Sequence, residues 1–484
     1  MENKRYVTYE EFGAKGDGVT DDMSAIVRAH EFANDNGLPV KCKDGAVYYI
    51  GGKDITAVIK TDTDFGRSKF IIDDRVLENI KTWCFSVASD FEPFSPDIKS
   101  IAKGQCKVDF EHEGNVFVKV FSDKKKIFIR KGLNRNNGTD LTDSFVVNEK
   151  GEVTVGIDRD IPEITRVAAK RIDDKPITIK GGTFVTIANC WVSEYKYHCR
   201  GFNITRSSVT IEGVTHLIEG EGDNGAPYSG FFTVSDAVDV TIRSCTMTPH
   251  KTYYTASKLG PDKPVGMGTY DLSFGYSINT KLIGIRQTRD INDRTYWGLM
   301  GSNFCKNFYI DDCIISRFDA HMGVSGTTIK NSEFGHQCLS LIGYGDFYIE
   351  NSTVNGYSFI SLRPDYGSFW DGTITVKNCK WKPIVPERLV MINASNSGDH
   401  DFGYVCYMPR EINIDGFEID DSASPFETEL YLLPNYDKDY APGKPNKYMT
   451  VKKLSVSGIK MSKGREIKLT EHPKMYEDIL FEKA

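Results

Sequence analysis

Short segments with alternating apolar and polar residues recur along much of the chain. Each reads as an apolar residue or Thr, any residue, Ile or Val, a polar residue, then Asn, Asp, Gly or Ser before a small or apolar residue. The segments are ITIKGG from Ile177, VTIEGV from Val209, VTIRSC from Val240, FYIDDC from Phe308, TTIKNS from Thr327, FYIENS from Phe347, ITVKNC from Ile374, INIDGF from Ile412 and LSVSGI from Leu454. This period of two places Ile and Val on one face of a strand, and the closing Asn, Asp or Gly predicts a tight bend.

The spacing of the segments predicts a solenoid. The Ile or Val positions of the four central segments, from Ile310 to Val376, are 19, 20 and 27 residues apart. Such intervals are typical of stacked coils whose loops differ in length, whereas propeller blades need about 40 residues. Because stacked coils lie ~4.8 Å apart, equivalent residues of successive coils should meet. We expect a ladder of Asp312, Asn331, Asn351 and Asn378 beside a column of Cys313, Ser332, Ser352 and Cys379.

The N-terminal run EFGAKGDGVTDDMSAIVRAHEFANDNG predicts a helix that covers the open end of the first coil. Thr20 or Asp21 is the expected N-cap, and the helix should end near Gly37. Its apolar face should contain Ile26, Ala29 and Ala33.

The segment FGAKGDGVTDD, residues 12 to 22, closely resembles the opening of right-handed β-helix proteins of the pectate-lyase-like superfamily. That superfamily includes polygalacturonases, polysaccharide lyases, alginate C5-epimerases and phage tailspikes. The resemblance implies an all-β fold, a right-handed single-stranded parallel β-helix whose first segment is a structural cap.

We expect three parts in the chain. Residues 1–75 would form the N-terminal cap and first coil, and residues 171–484 the main β-helix with a C-terminal cap. Residues 76–170 depart from the repeat and read as strands joined by the polar turns SDKKK and NEKGE, which predicts a small inserted β-domain.

Composition narrows the class of partner. Lys and Arg number 60 against 67 Asp and Glu, with no long basic run, so nucleic acid is excluded as the expected partner. No stretch approaches the ~18 apolar residues of a membrane helix. The eleven cysteines lack C-x-x-C pairs, and Cys245, Cys313 and Cys379 share one repeat position, which favours buried thiols.

The chain starts MENKRYVTYEEFG, without an apolar signal segment. We expect an extracellular or periplasmic protein if a signal peptide was removed, and otherwise a phage virion protein. The expected partner is a polysaccharide, and the expected assembly is a monomer or a homotrimer. No cofactor is predicted, and a calcium site is left open.

The stretch SRFDAHMGV contains the first candidate chemistry, Arg317, Asp319 and His321. Asp and His at positions i and i+2 of an extended chain face the same way, so Asp319 is expected to orient the imidazole and raise its pKa toward working pH. FDAH also resembles the Asp-Pro-His motif of β-helix alginate epimerases, with Ala320 in place of proline. Ser316 stands where that family has its catalytic tyrosine, so the likeness does not extend to epimerisation.

Neighbouring repeats add further polar residues that would line the same groove if the coils stack in register. The stretches are RDINDRTYWGLMGSNFCKN, GHQCLSL, LRPDYGSFW and TPHKTYYTASKLG. From them we predict further catalytic residues at Arg363, Tyr296 and Tyr366, and substrate-binding residues at Arg294, Asp293, His336, Asp365, His250 and Lys251.

Two reactions fit these residue types. In β-elimination at a uronate, His321 would be the base, an arginine (Arg294, Arg317 or Arg363) would neutralise the sugar carboxylate, and Tyr296 or Tyr366 would be the acid. Hydrolysis would instead pair Asp319 with Asp293 or Asp365, although the Gly-His-Gly of polygalacturonases is missing from GHQCLSL. The abundance of Arg, His and Tyr favours elimination on an acidic polysaccharide. A non-catalytic polysaccharide-binding tailspike or adhesin is the third alternative.

Overall fold

The computed structural model describes residues 6–130, 137–257, 264–384, 389–395, 402–435, 448–449, 451–470 and 476–483. Residues 258–260 of the stretch TPHKTYYTASKLG lie outside the described residues, as do residues 471–475 and 484 of the predicted C-terminal cap. Within the described part, one α-helix, Met23–Asn36, accompanies two short 3-10 helices, Glu10–Phe12 and Pro364–Tyr366.

The described chain divides into two compact units. The first comprises residues 1–93 and 170–300, and the second residues 94–169 and 301–484. The strands that lie wholly or partly in the first unit are Asp17–Asp21, Val40–Lys41, Val47–Ile50, Ala57–Ile59, Thr63–Asp73, Phe85–Val87, Arg166–Arg171, Ile177–Ile187, Phe202–Ile204, Val209–Glu212, Thr215–Glu219, Phe232–Ser235, Val240–Arg243, Thr246–Met247, Tyr253–Tyr254, Gly266–Met267, Leu272–Gly275, Lys281–Ile283, Arg286–Gln287 and Met300–Asn303. The strands of the second unit are Val116–Ile127, Thr139–Val147, Val153–Val155, Cys305–Asp311, Ile314–Ile315, Phe318–Asp319, Val324–Lys330, Glu333–Phe334, Leu339–Leu341, Gly343–Glu350, Thr353–Val354, Ile360–Leu362, Trp370–Trp381, Leu389–Val390, Ile392–Asn393, Cys406–Tyr407, Glu411–Ile419, Leu430–Leu433, Tyr448–Met449, Lys453–Met461, Lys468–Thr470 and Leu480–Lys483.

The repeated segments form parallel strands stacked coil upon coil, as the period of two predicts. In the first unit, Ile177 pairs with Val209 and Ile179 with Ile211, and the stack continues in the same register to Ile242. In the second unit, the strands from Cys305–Asp311 onward repeat this arrangement. Ile179 and Ile211 have no exposed surface, so the Ile and Val column forms the core of the coils. The predicted parallel β-helix is confirmed.

The bend after each central strand has the predicted chemistry. Asp312, Asn331, Asn351 and Asn378 all have φ between 47° and 52°, the left-handed region that Asn and Asp tolerate better than most residues. In the neighbouring column, the Ser332 hydroxyl accepts the N–H of Cys313 at 3.1 Å, and the Ser352 hydroxyl accepts that of Ser332 at 3.1 Å. The ladder and the column are therefore confirmed. Cys245, Cys313 and Cys379 are buried, as expected.

The N-terminal helix forms where the sequence predicts it, with one correction at its start. Its apolar face, Ile26, Ala29 and Ala33, is buried, and Gly37 ends it with φ 61°. The N-cap is Asp22, so the prediction of Thr20 or Asp21 is wrong. The physical reason is that Asp17–Asp21 is a strand that pairs with Val47–Ile50, which delays the helix start.

The insertion contains an antiparallel sheet in which Val116–Ile127 pairs with Thr139–Val147, and the latter with Val153–Val155. NEKGE forms the predicted turn, where Asn148 Oδ1 accepts the N–H of Lys150 and of Glu152. The predicted turn at SDKKK is wrong, because these residues form an irregularity within the first strand. The domain boundaries at 75 and 170 stay a prediction.

Candidate functional site

The strand Phe318–Asp319 of the second unit positions the FDAH residues. It pairs in parallel with Leu339–Leu341, with Asp319 opposite Ser340. Phe318 and Ala320 have no exposed surface and belong to the core. Because side chains alternate along a strand, Arg317, Asp319 and His321 face the other way.

Asp319 is completely buried between two guanidinium groups. Nη2 of Arg317 lies 2.8 Å from Oδ2, and Nη1 of Arg363 pairs with Oδ1. Arg363 also donates to Asp365, at 3.2 Å from Nε and 2.9 Å from Nη2. We call these four residues the arginine–aspartate cluster. It joins residues two coils apart, so the predicted strip of stacked polar residues exists in this unit.

The imidazole of His321 lies at the edge of this cluster. Its Nδ1 is 3.1 Å from Oδ1 of Asn303, and its ring centroid is 5.6 Å from that of Tyr366 at an angle of 75°. Burial, together with the charge of Arg363, lowers the pKa of His321 to about 4, although Asp319 acts in the opposite direction. Asp319 thus raises the pKa of His321 as expected, but desolvation and the arginine outweigh the carboxylate. The expected net rise of this pKa toward working pH is therefore wrong. The imidazole is neutral at pH 7 and able to accept a proton.

Two other predicted residues of this unit are buried. Tyr366 is 1% exposed, at the end of the 3-10 turn Pro364–Tyr366, and belongs to the apolar core there. His336 is 2% exposed, on the turn after Glu333–Phe334. Tyr366 thus packs against His321 from the core side, where it has no access to solvent.

Three of the predicted residues of the first unit, His250, Lys251 and Tyr296, lie around a glutamate. Glu221 Oε1 accepts the backbone N–H of Lys251 at 2.9 Å and lies 3.1 Å from Nδ1 of His250. Nη2 of Arg289 is 3.2 Å from Oε2, and the same guanidinium donates to the Tyr296 hydroxyl. We call Glu221, His250, Lys251, Arg289 and Tyr296 the glutamate cluster.

The surroundings of Glu221 favour its ionised form. Burial raises the pKa of the Glu221 carboxyl, but the hydrogen bond and charge of His250, with Lys251 N–H and Arg289, bring it below its usual value. His250 stacks on Tyr228 with ring centroids 4.4 Å apart. Arg289 lies 4.2 Å above the Tyr296 ring. The Glu221 side chain is 4% exposed while that of Arg289 is 26% exposed, so a buried anion holds a partly exposed cation and phenol.

Asp293 and Arg294, also predicted as substrate-binding residues, lie on the turn that precedes Tyr296. Asp293 Oδ1 accepts the N–H of Thr295 at 2.8 Å, which gives this carboxylate a local role in the turn. The Arg294 side chain is exposed.

Four residues in or beside these clusters were not among the predicted site residues. Glu221 lies in EGEGDNG, which reads as an ordinary polar loop. Asn303 is the last residue of the strand Met300–Asn303, where no motif marks it, and Arg130, which pairs with Asp365, belongs to the predicted insertion. Arg289 lay within a selected stretch, but no pattern distinguished it from Arg294.

Comparison with known proteins bears on the fold. No family model matches the chain. A 120-residue segment is 28% identical to a depolymerase of Klebsiella phage P510 named as specific for the KL64 capsule, and covers 22% of this chain but only 12% of that protein. The structure resembles tailspike gp61 of Pseudomonas phage phi297, with a TM-score of 0.59 and 11% identity over 99% of this chain and 84% of the other. This chain has the β-helix fold of phage tailspikes.

A second tailspike, gp49 of Pseudomonas phage LKA1, supports the same conclusion, with a TM-score of 0.52 and 14% identity over 99% of this chain and 78% of the other. No helix in the described part of this chain has the length and apolar character needed to span a membrane. The described residues also contain no group of three or more His, Cys, Asp or Glu arranged to hold a metal ion.

Proposed function

We propose that this chain cleaves an acidic polysaccharide by β-elimination, as the β-helix of a depolymerase found on a phage virion or otherwise outside the cell. The name of the related Klebsiella phage protein, a capsule depolymerase, supports polysaccharide as the substrate class. The tailspike-like fold supports the location. Whether the protein acts as a monomer or a homotrimer stays a prediction.

One observation carries the choice of an acidic substrate and a basic catalyst. The neutral imidazole of His321 lies at the edge of the arginine–aspartate cluster, where Arg130 and Arg363 are the positive charges that act on it. These arginines can attract a sugar carboxylate, and the neutral imidazole can remove a proton that this carboxylate makes acidic.

In this proposal, His321 takes the proton from C5 of the uronate while Arg363 faces the sugar carboxylate. The electron pair of the C5–H bond forms the C4–C5 double bond as the C4–O bond breaks. The leaving oxygen then takes a proton from water. We do not assign this proton to Tyr366, because its ring is buried in the core.

Hydrolysis by paired aspartates is less well supported. A general acid must be protonated before it can give its proton to the leaving group. Burial raises the pKa of Asp365, but Arg363 and Arg130 bring it below its usual value. Asp319 has both oxygens in ion pairs with arginines. Both carboxylates are therefore held in the ionised form.

We assign substrate binding, rather than chemistry, to the glutamate cluster. Arg289 and Tyr296 are held in place from below by Glu221 and present donors to a sugar. Tyr254, 61% exposed and near Lys251 in the chain, offers an aromatic face for a sugar ring.

Binding without cleavage is the second candidate function, favoured by the ion pairing of Arg317 and Arg363 with aspartates.

The proposal is tested by incubating the protein with hyaluronan, chondroitin, alginate, pectate and Klebsiella KL64 capsule. Absorbance at ~232 nm reports the unsaturated product of elimination, and a reducing-end assay reports cleavage by either route. We expect both signals from wild type, neither from His321→Gln, and both from the control Arg67→Ala, whose side chain is 84% exposed. Reducing ends without absorbance would establish hydrolysis, and binding without either signal would establish the non-catalytic alternative.

A further inference from the structure

One residue of the inserted domain, Arg130, contacts the arginine–aspartate cluster after an unusual turn of the backbone. Immediately after the strand Val116–Ile127, Phe128 has φ 54°, a conformation that costs a bulky side chain free energy. Its ring is 1% exposed and meets those of Tyr366 and Tyr404 edge-on, each at 5.4 Å. The N–H of Ile129 donates to Phe402 O at 3.3 Å. The packing of the Phe128 ring and the hydrogen bond of the Ile129 N–H thus hold the strained turn and set the direction of the chain at Arg130.

Arg130 follows this turn and makes two contacts. Its Nη2 pairs with Oδ2 of Asp365, and its guanidinium lies 4.6 Å above the ring of Tyr366. The side chain is 16% exposed, and its buried Nε has no hydrogen-bond partner among the described residues. Within that part of the chain, the ion pair with Asp365 and the contact with the Tyr366 ring hold the guanidinium in place.

The insertion is itself docked firmly within the second unit. Nζ of Lys306 lies 2.7 Å from Oδ1 of Asp143 and 2.8 Å from Oδ2 of Asp158, and its side chain is 6% exposed. Nε of Arg159 donates to the Tyr344 hydroxyl at 3.1 Å. Since Asp143, Asp158 and Arg159 come from the insertion and Lys306 and Tyr344 from the coils, buried polar contacts fix the insertion against the coils.

We propose that Arg130 is a positioning residue of the candidate site, so that the inserted domain completes a site otherwise built by the coils. Arg130 holds Asp365, and Asp365 in turn holds the guanidinium of Arg363. Arg130 also covers the ring of Tyr366, against which His321 packs. The catalytic part of this proposal rests on the proposed function, whereas the effect on His321 does not.

The charges that face His321 make the proposal measurable without a substrate. They are Arg363 and Arg130, which disfavour its protonated form, and Asp319 and Asp365, which favour it. Removal of Arg130 takes away one positive charge, so the pKa of His321 should rise from about 4.

The experiment uses the full chain with Arg130→Gln and Arg130→Lys, and with Arg166→Ala as the matched control. Arg166 belongs to the same insertion and stacks 3.6 Å from the ring centre of Phe121. The His321 signal, assigned by its loss in His321→Gln, is followed in an NMR pH titration. We expect a higher pKa in Arg130→Gln, a value near wild type in Arg130→Lys, which keeps the charge, and no change in the control.

On an acidic polysaccharide that the wild type cleaves, Arg130→Gln should lower kcat ~10-fold or more through misplacement of the site, with partial rescue in Arg130→Lys. An unchanged His321 titration in Arg130→Gln would overturn the proposal. If Arg130→Gln does not fold, Arg130→Lys alone tests the proposal. A His321 titration and a kcat like those of the wild type would then support a role for the charge of Arg130. A loss of kcat in Arg130→Lys as large as that in His321→Gln would overturn the proposal. A shifted titration in a protein that cleaves none of the polysaccharides would support the positioning role and contradict the proposed function.

Discussion

The two clusters bury a carboxylate in different ways. Asp319 has two charged partners, Arg317 and Arg363. Glu221 is held by His250, the backbone N–H of Lys251 and the hydroxyl of Tyr253, as well as by Arg289. A carboxylate paired with two arginines creates a strong local field that changes the protonation of its neighbours, whereas one that also accepts from a backbone N–H, an imidazole and a phenol mainly fixes geometry. We therefore assign chemistry to the first cluster and binding to the second.

The largest expected difference between the clusters is in stability. Asp319→Asn leaves two buried guanidinium groups without their shared anion and should lower the free energy of unfolding by about 3–5 kcal/mol. Glu221→Gln keeps an acceptor for the Lys251 N–H and the Tyr253 hydroxyl and should cost about 1–3 kcal/mol. Urea unfolding followed by circular dichroism measures both. Equal losses of unfolding free energy would show that pairing with two arginines does not make Asp319 more important for stability than Glu221.

The next largest effect concerns turnover. His321→Gln removes the proposed base and should lower kcat by about 10²–10⁴-fold, the usual contribution of a general base, with little change in KM. Steady-state kinetics on the best substrate of the panel measures both constants. Full turnover by a folded His321→Gln protein would remove His321 from the mechanism and shift attention to the glutamate cluster.

A smaller effect is expected in the glutamate cluster. Tyr296→Phe removes one hydroxyl and should weaken oligosaccharide binding by about 3- to 10-fold, since one hydrogen bond contributes about 0.5–1.5 kcal/mol. Calorimetric titration into a His321→Gln background measures affinity without cleavage. A loss of kcat with unchanged affinity would contradict a binding role for Tyr296.

The smallest effect near neutral pH is expected in the pH profile. His321 has a pKa of about 4 in the folded protein, below the usual ~6.5 of the unfolded chain. The base is therefore already neutral at pH 7, and kcat/KM should be flat near neutrality and fall as pH drops toward 4. The same shift lowers stability as pH falls from ~6.5 toward about 4, because the unfolded state binds the proton first. A kinetic inflection at ~6.5 would show that another group, or a more exposed His321, is the base.

Much of the fold could be predicted from the repeats because its determinants are local. The Ile and Val at every second position determine which face of each strand is buried. Asn at the repeated bend position, as at Asn331 and Asn351, takes the left-handed conformation. Errors arose where local signals compete: the N-cap moved to Asp22 because the preceding residues form a strand. SDKKK remained within a strand because its neighbours pair across the sheet.

For the candidate site, the sequence predicted many of the residues but not which of them are in contact. The sequence by itself determined the stacked coils, the ladder and the placement of Asp319 and His321 on one face, since each follows from a period of two and a repeated bend. Tertiary structure decided which charges meet: Asp319 with Arg363, 44 residues away, and Asp365 with Arg130, 235 residues away. It also reversed the expected pKa shift of His321, because desolvation depends on what covers the ring and not on its neighbours in the chain.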